Sequence, residues 1–112
     1  MREFIANRYK SRGVNVDPKN ILITTGSQQA LDLLGKAFLN KGDYVCLERP
    51  SYLGAIQAFQ MFQPQFQEVD LTATGLALPE LEKQMAATQA KFIYAIPNFQ
   101  NPTGLTYSCD SL

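Results

Sequence analysis

Short apolar runs alternate with helix-patterned segments along the chain, and this alternation is the feature that most constrains its fold. Apolar runs predict buried strands at residues 21–24, 44–47 and 91–96, and a further strand is predicted at residues 65–69. Helical spacing of apolar residues predicts helices at residues 2–12, 28–39 and 52–61, and in the segment that begins near Pro79. Strands that alternate with helices in this way predict an α/β fold, with a mostly parallel sheet covered on both faces.

Composition and charge narrow the classes of function. The chain has 112 residues, of which 46% are apolar and 18% charged, as in an ordinary globular domain. Ten basic and ten acidic residues give a formal net charge of zero, so no nucleic-acid partner is expected. The absence of histidine excludes a histidine-dependent triad or zinc site within this sequence, and Cys46 and Cys109 show no metal-ligand spacing. No apolar run approaches membrane-spanning length, so we predict a cytoplasmic protein without membrane contact.

Three turn motifs follow predicted strands, on the side where open α/β sheets bind ligands. In the first, T-T-G-S-Q-Q-A, a strand ends at Gly26 and a helix begins. The unpaired amides of the first helical turn, the positive end of the helix dipole and the Ser27 hydroxyl would suit a phosphate group. Taken alone, an ordinary helix N-cap is the better explanation. The glycine-rich G-x-G-x-x-G and G-x-x-x-x-G-K-[ST] nucleotide motifs are absent.

The other two motifs are E-R-P-S-Y and N-F-Q-N-P-T-G. Tyr52 follows Pro50 at the end of the second strand, where its ring could lie against a planar ligand. Taken alone, a half-buried tyrosine that closes the core is the better interpretation. Asn101 precedes a proline, which favours an extended backbone from which its amide could face a cleft, although a simple β-turn is the commoner explanation. Glu48 and Arg49 are predicted to be surface charges.

The combination of the three motifs is far more specific than any one of them. With G-S-Q-Q-A-L, E-R-P-S-Y-L-G and P-N-F-Q-N-P-T-G in this order, the sequence resembles the class I/II aminotransferases, which are pyridoxal phosphate enzymes of fold type I. It is most similar to the multisubstrate and aminoadipate aminotransferases and to the C-terminal domains of MocR-type regulators. The resemblance implies a partial three-layer α/β/α sandwich. Residues 1–108 would form part of the large, cofactor-binding domain, and residues 109–112 an atypical tail.

The resemblance also implies a cofactor, pyridoxal 5'-phosphate, and the residues that bind it. Gly26, Ser27 and Gln28 match the family's turn around the cofactor phosphate. Tyr52 matches the aromatic residue that stacks on the pyridine ring, and Asn101 matches the asparagine that donates to the cofactor's phenolic oxygen. The implied reaction is transfer of an amino group between an amino acid and a 2-oxo acid, catalysed by a homodimer when the enzyme is full length.

Several catalytic parts of the family have no counterpart in this sequence. The lysine that binds the cofactor covalently, the aspartate at the pyridine nitrogen and the arginine that holds the substrate carboxylate lie downstream of N-P-T-G in the family. No catalytic residue is therefore predicted here, and we expect the chain alone to be an inactive fragment of an aminotransferase. The alternatives are a fragment of a MocR-type regulator that binds pyridoxal phosphate, and a non-functional gene remnant. The substrate is left open.

Overall fold

A computed structural model describes residues 1–111, so Leu112, the last residue of the predicted tail, lies outside the described residues. The chain divides into two units, Met1–Ala30 and Leu31–Leu112. The first unit contains helix α1 (Arg2–Lys10) and a 3-10 turn at Pro18–Asn20. The turn begins where the Lys19 N–H donates to the Asp17 carboxylate over 2.9 Å, which is the usual use of aspartate before a turn.

Residues 21–24, predicted as a strand, form no strand with any other residue in the described range 1–111, so this prediction is wrong. Leu22 and Ile23 are instead exposed, at 75% and 46% of their surface. A β-branched run becomes a strand only where a neighbouring strand supplies hydrogen bonds and burial. The side-chain pattern at residues 21–24 is therefore present without the pairing that it needs.

The second unit is built on a four-stranded sheet in the order β3-β2-β1-β4. Its strands are β1 (Tyr44–Arg49), β2 (Gln65–Thr72), β3 (Gly75–Leu76) and β4 (Phe92–Tyr94). Strand β1 runs parallel to both β2 and β4, whereas β3 is antiparallel to β2. The predicted mostly parallel sheet is confirmed, with an antiparallel β2–β3 hairpin that the sequence pattern did not predict.

Helices cover both faces of this sheet. From Leu31 onward, helix α2 (Ser27–Phe38) packs with helix α3 (Leu53–Gln60) on the side of β1 that carries Val45 and Leu47. Helix α4 (Leu78–Thr88) contacts the opposite side, where the sulfur atoms of Cys46 and Met85 lie 3.6 Å apart. Because neighbouring residues in a strand point to opposite faces, the second unit forms part of a three-layer α/β/α sandwich, as predicted.

The register of the sheet decides where its polar loops emerge. Val45 lies opposite Phe92, and Leu47 lies opposite Tyr94, so the chain leaves β1 and β4 at the same edge. In parallel sheets this carboxyl edge is where side chains from different loops meet. The segments that follow Leu47 and Tyr94 are the ones that carry Tyr52 and Asn101.

Candidate functional site

The first predicted site is a turn that belongs to the unit Met1–Ala30. Gly26 has a left-handed backbone with φ of +83°, and a Cβ added there would meet nothing within 4 Å. The Thr24 hydroxyl donates to the Gly26 carbonyl over 3.0 Å, and the Thr25 N–H donates to the Gln29 side chain over 2.6 Å. Helix α2 begins at the next residue, Ser27, so its first amides follow an exposed and locally ordered turn.

Tyr52 is the N-cap residue of helix α3 and is half-buried. Its ring lies over the backbone of Gly54, where an added Cβ would come within 2.5 Å of two ring carbons. The ring also packs against the buried cluster that contains Phe59. Tyr52 therefore closes the core, as expected from the sequence taken alone, and keeps part of its ring exposed at the edge of the sheet.

Asn101 lies in an exposed turn that is built by its neighbours. The Gln100 N–H donates to the Leu105 carbonyl over 2.7 Å, and the Gly104 N–H donates to the Gln100 carbonyl. These backbone bonds close residues 100–105 into a small loop. Among residues 1–111, the Asn101 amide makes no hydrogen bond with another side chain or with the backbone. The amide is thus presented to solvent by a structured loop.

Glu48 is buried, with 1% of its surface exposed, so the prediction of a surface charge at this position is wrong. Its carboxylate accepts hydrogen bonds from the Ile96 N–H over 2.9 Å, from the Gln100 amide over 2.8 Å and from the Tyr107 hydroxyl. Burial, and then the adjacent carboxylate, raise the pKa of the Tyr107 phenol well above its ordinary value, so the phenol remains a donor. These donors compensate for the removal of the carboxylate from water.

Gln100 connects this carboxylate to two loops. Its side-chain NH₂ donates to Glu48 and to the Pro50 carbonyl, each over 2.8 Å. Its side-chain oxygen accepts from the Thr103 N–H over 3.0 Å and from the Thr103 hydroxyl over 2.7 Å. Since Pro50 lies two residues before Tyr52, the structure joins the Tyr52 loop to the Asn101 turn through one buried glutamine.

Arg49 remains a surface charge, as predicted. It is 54% exposed and its Nε lies 2.5 Å from the Asp70 carboxylate. The hydrogen bond from Arg49 lowers the pKa of the Asp70 carboxyl.

The hydroxyl of Ser51, which separates Pro50 from Tyr52, is buried and has no hydrogen-bond partner among the described residues. A buried hydroxyl without a hydrogen-bond partner is uncommon in folded proteins.

Lysines lie outside the segments that carry the site. All of them are exposed, at positions 10, 19, 36, 41, 83 and 91. Lys91 lies at the opposite end of the sheet, because its N–H donates to the Tyr44 carbonyl at the start of β1.

The described residues also contain no group of three acidic, cysteine or histidine side chains placed to hold a metal ion. Nor does any helix in residues 1–111 have the length and apolar character needed to cross a membrane.

The second unit thus has the architecture of α/β proteins that place ligands at the carboxyl edge of an open sheet. The family model for aminotransferase class I and II matches residues 1–112. The chain belongs to this family, and the resemblance found in its three motifs is confirmed.

Curated relatives and solved structures agree with this family. The chain is 49% identical over 104 residues to a 2-aminoadipate transaminase of Thermus thermophilus, covering 93% of this chain and 25% of the relative. It is 40% identical over 113 residues to aromatic-amino-acid aminotransferase 1 of Thermococcus litoralis, covering 95% of this chain and 26% of the relative. It superposes with a TM-score of 0.86 and 46% identity on LysN, an alpha-aminoadipate aminotransferase of Thermus thermophilus.

That crystal structure contains N-(5'-phosphopyridoxyl)-L-leucine, and the match covers 98% of this chain and 27% of LysN. The chain thus spans about a quarter of the length of the curated aminotransferases that it matches. Regulators also match at lower identity. One is the HTH-type transcriptional regulator YdfD of Bacillus subtilis, which is 32% identical over 108 residues and is covered to 22% of its length.

Proposed function

We propose that this chain is part of the cofactor-binding domain of an aminotransferase that uses pyridoxal 5'-phosphate. The observation that carries the proposal is the hydrogen bond from the Gln100 amide to the Pro50 carbonyl, over 2.8 Å. This bond ties the loop of a half-exposed aromatic ring, Tyr52, to the turn of an exposed amide, Asn101. A ring face and an amide donor on connected loops are the groups that a planar, phenol-bearing cofactor requires.

Each part of the cofactor is matched by a group of suitable chemistry among the predicted site residues. Its phosphate is a dianion, which suits the exposed turn at Gly26, Ser27 and Gln28 at the start of helix α2. The open space beside Gly26 lets a bulky anion approach the backbone. The pyridine ring suits the face of Tyr52, and the phenolic oxygen suits the amide of Asn101. These assignments rest on the chemistry of the side chains and on the family to which the chain belongs.

When bound, this cofactor supplies an electron sink for the carbon that loses a proton in amino-group transfer. The residues of this chain would bind and orient the cofactor. The Asn101 amide, as a hydrogen-bond donor, would stabilise the ionised form of the phenol and lower its pKa. None of the lysines lies in the segments 24–28, 48–52 or 94–107 that carry the site. We therefore assign the covalent and proton-transfer steps to parts of the enzyme outside these 112 residues.

The proposal extends to the whole enzyme. Its substrates would be an amino acid and a 2-oxo acid, by analogy with the transaminases that it resembles most among the curated relatives described above. We propose a homodimer located in the cytoplasm. A nucleic-acid partner for this part of the protein is not proposed, because the formal net charge of the chain is zero.

A second candidate function is ligand sensing in a MocR-type transcriptional regulator. The similarity to regulators such as YdfD supports it. Such a protein would use the same cofactor site without needing turnover. A helix-turn-helix domain encoded in frame ahead of residue 1 would favour the regulator, whereas continuation into a lysine-bearing catalytic segment without that domain would favour the enzyme.

Binding of pyridoxamine 5'-phosphate to the full chain, followed by calorimetry, tests the proposed site. This form of the cofactor has no aldehyde and so cannot condense with the exposed lysines. We expect Ser27→Ala and Asn101→Ala each to weaken binding about 10- to 100-fold, the usual effect of one lost hydrogen bond to a charged group. Gly54→Ala should weaken it too, because the new Cβ displaces the Tyr52 ring.

Gln57→Ala is the matched control, since this exposed residue lies on the same helix as Gly54 and outside the site. It should bind the cofactor like the unmodified chain. Equal affinities for the control and for both Ser27→Ala and Asn101→Ala would show that the cofactor binds elsewhere. That result would overturn the assignment of the site.

A further inference from the structure

The buried carboxylate of Glu48 holds together segments that are far apart in the sequence. Its hydrogen bonds reach Ile96, Gln100 and Tyr107, which lie 48, 52 and 59 residues further along the chain. All three partners donate, so the two carboxylate oxygens are matched as acceptors. Glu48 itself does not belong to the residues assigned to the cofactor, and nothing in the proposed function assigns it a role.

The amide of Gln100 has a fixed orientation because of this carboxylate. Its NH₂ group faces two acceptors, Glu48 and the Pro50 carbonyl, and its oxygen faces two donors on Thr103. Rotating the amide by half a turn would place donors against donors and acceptors against acceptors. The carboxylate, the Pro50 carbonyl and Thr103 therefore all favour one orientation of Gln100, with its oxygen toward the Asn101 turn.

We propose that Glu48 is a positioning residue for Asn101, acting through the buried amide of Gln100. Ile96 and Tyr107 fix one oxygen of the carboxylate, and the other oxygen orients Gln100. Gln100 then holds residues 101–104 with its side-chain oxygen and its backbone carbonyl. For the cofactor, this inference rests on the proposed function. For the geometry of the turn, it stands without the cofactor.

The burial of a charge argues for this role over simple packing. Removing a carboxylate from water is costly, and an apolar side chain of similar volume often stabilises a core equally well. What an apolar residue cannot do is orient an amide. A fully satisfied buried polar network specifies one geometry, which is what an amide donor in a binding site needs.

Replacing the carboxylate by an amide tests the proposal without changing shape. In Glu48→Gln, the remaining side-chain oxygen belongs where two donors converge, the Ile96 N–H and the Tyr107 hydroxyl, and the new NH₂ group then faces the Gln100 NH₂, donor against donor. Without cofactor, the Thr103 and Gly104 amides should exchange with solvent about 10- to 100-fold faster in this variant, as measured by NMR on the full chain. Unchanged exchange of both amides in a folded Glu48→Gln variant would overturn the proposal.

The exchanged pair Glu48→Gln/Gln100→Glu provides the rescue. The carboxylate, now at position 100, accepts from the amide, now at position 48, and from Thr103, but one of its oxygens faces the Pro50 carbonyl, acceptor against acceptor. We expect partial rescue, with Thr103 and Gly104 amide exchange slower than in Glu48→Gln, because a donor again faces an acceptor between positions 48 and 100. If the double variant is as unprotected as Glu48→Gln, orientation by donor and acceptor matching is wrong.

A third variant keeps the proposal testable if Glu48→Gln fails to fold. Gln100→Met fills the same volume and leaves Glu48 bonded to Ile96 and Tyr107. The Gly104 amide, whose acceptor is the Gln100 backbone carbonyl, should still become less protected. Full protection of that amide in Gln100→Met would show that the turn does not depend on this side chain, and would overturn the inference.

The bound cofactor supplies a spectroscopic readout that packing alone would not change. Absorbance against pH gives the pKa of the phenol in bound pyridoxamine 5'-phosphate. Asn101→Ala should raise that pKa, Glu48→Gln should raise it in the same direction, and the double variant should match Asn101→Ala alone. Additive shifts would mean that Glu48 acts independently of Asn101. If the unmodified chain binds no cofactor, the proposed function fails, and the exchange rates still decide the positioning role.

Discussion

Replacement of Tyr107 by phenylalanine removes one donor from the buried carboxylate and leaves the ring in place. The phenol is 8% exposed and donates to the same Glu48 oxygen as the Ile96 N–H, which lies 2.9 Å away. A hydrogen bond to a charged group contributes about 1.5–3 kcal/mol. The Ile96 bond to the same oxygen remains, which limits the loss, whereas no water can replace the missing hydroxyl at this buried position. We therefore expect Tyr107→Phe to lower the free energy of unfolding by about 1.5–2 kcal/mol at pH 7.

The Tyr107→Phe variant should also differ from the unmodified chain in how the free energy of unfolding depends on pH above about pH 10. The unfolded phenol loses its proton near the ordinary tyrosine pKa, about 10, whereas burial and Glu48 raise the pKa of the folded Tyr107 phenol well above its ordinary value. The stabilisation by the phenol is therefore complete below pH 10 and declines as the pH rises toward the folded pKa. Relative to Tyr107→Phe, the unmodified chain should lose about 1.4 kcal/mol per pH unit in this window.

Urea unfolding followed by circular dichroism, at pH 7 and at steps between about pH 10 and 11.5, measures both effects. Tyr9→Phe is the matched control, since Tyr9 is 51% exposed. It should change the free energy of unfolding by less than about 0.5 kcal/mol at every pH. Equal stabilities of Tyr107→Phe and the unmodified chain at pH 7, or parallel pH dependence in alkali, would refute the described network.

Three further predictions follow from the packing, the ion pairs and the site. Phe59→Ala should cost about 3–5 kcal/mol in unfolding free energy, because Phe59 is 1% exposed and its ring packs edge-on against Phe92. Phe38→Ala, at an exposed position, should cost far less, and similar losses would contradict the core assignment. The hydrogen bond from Arg49 lowers the pKa of Asp70, so the pair should stabilise the chain above the unfolded carboxyl pKa and lose its effect as the pH falls. Asp70→Asn should flatten that acid dependence in a pH-stepped melt. A polypeptide of these 112 residues, given an amino acid, a 2-oxo acid and pyridoxal phosphate, should show no turnover above the free cofactor in a coupled assay.

The central strands and helix starts were predictable because their causes are local. A strand buried on both faces reads as a continuous apolar run, and the run at 44–47 lies within β1. The strand predicted at 65–69 lies within β2. Pro79 lies in the first turn of α4, where a missing N–H costs nothing. The run at 21–24 has the same local pattern as 44–47 but no paired strand among the described residues, which shows that the pattern alone is not sufficient.

The burial of Glu48 could not be predicted from the sequence. A glutamate at the end of a strand is usually exposed, and burial requires donors that compensate the charge. Here those donors come from residues 48 to 59 positions away, and neither a tyrosine after N-P-T-G nor a glutamine before it indicates such a partner. The exposed amide of Asn101 was predictable as a motif, whereas the side chains that hold its turn were not.

The burial of strand β1 limits the substitutions that the family can accumulate during evolution. It lies between β2 and β4, and residues 45–48 are buried in succession. Val45 and Leu47 serve one hydrophobic layer, Cys46 faces the other, and Glu48 holds the loop of the site. Each of these side chains contacts a different neighbour. A substitution at one position therefore cannot be compensated by a substitution at the adjacent position. In a saturation mutagenesis survey, residues 45–48 should accept the fewest substitutions. Sequence drift among homologues should accumulate instead at the exposed positions of α4.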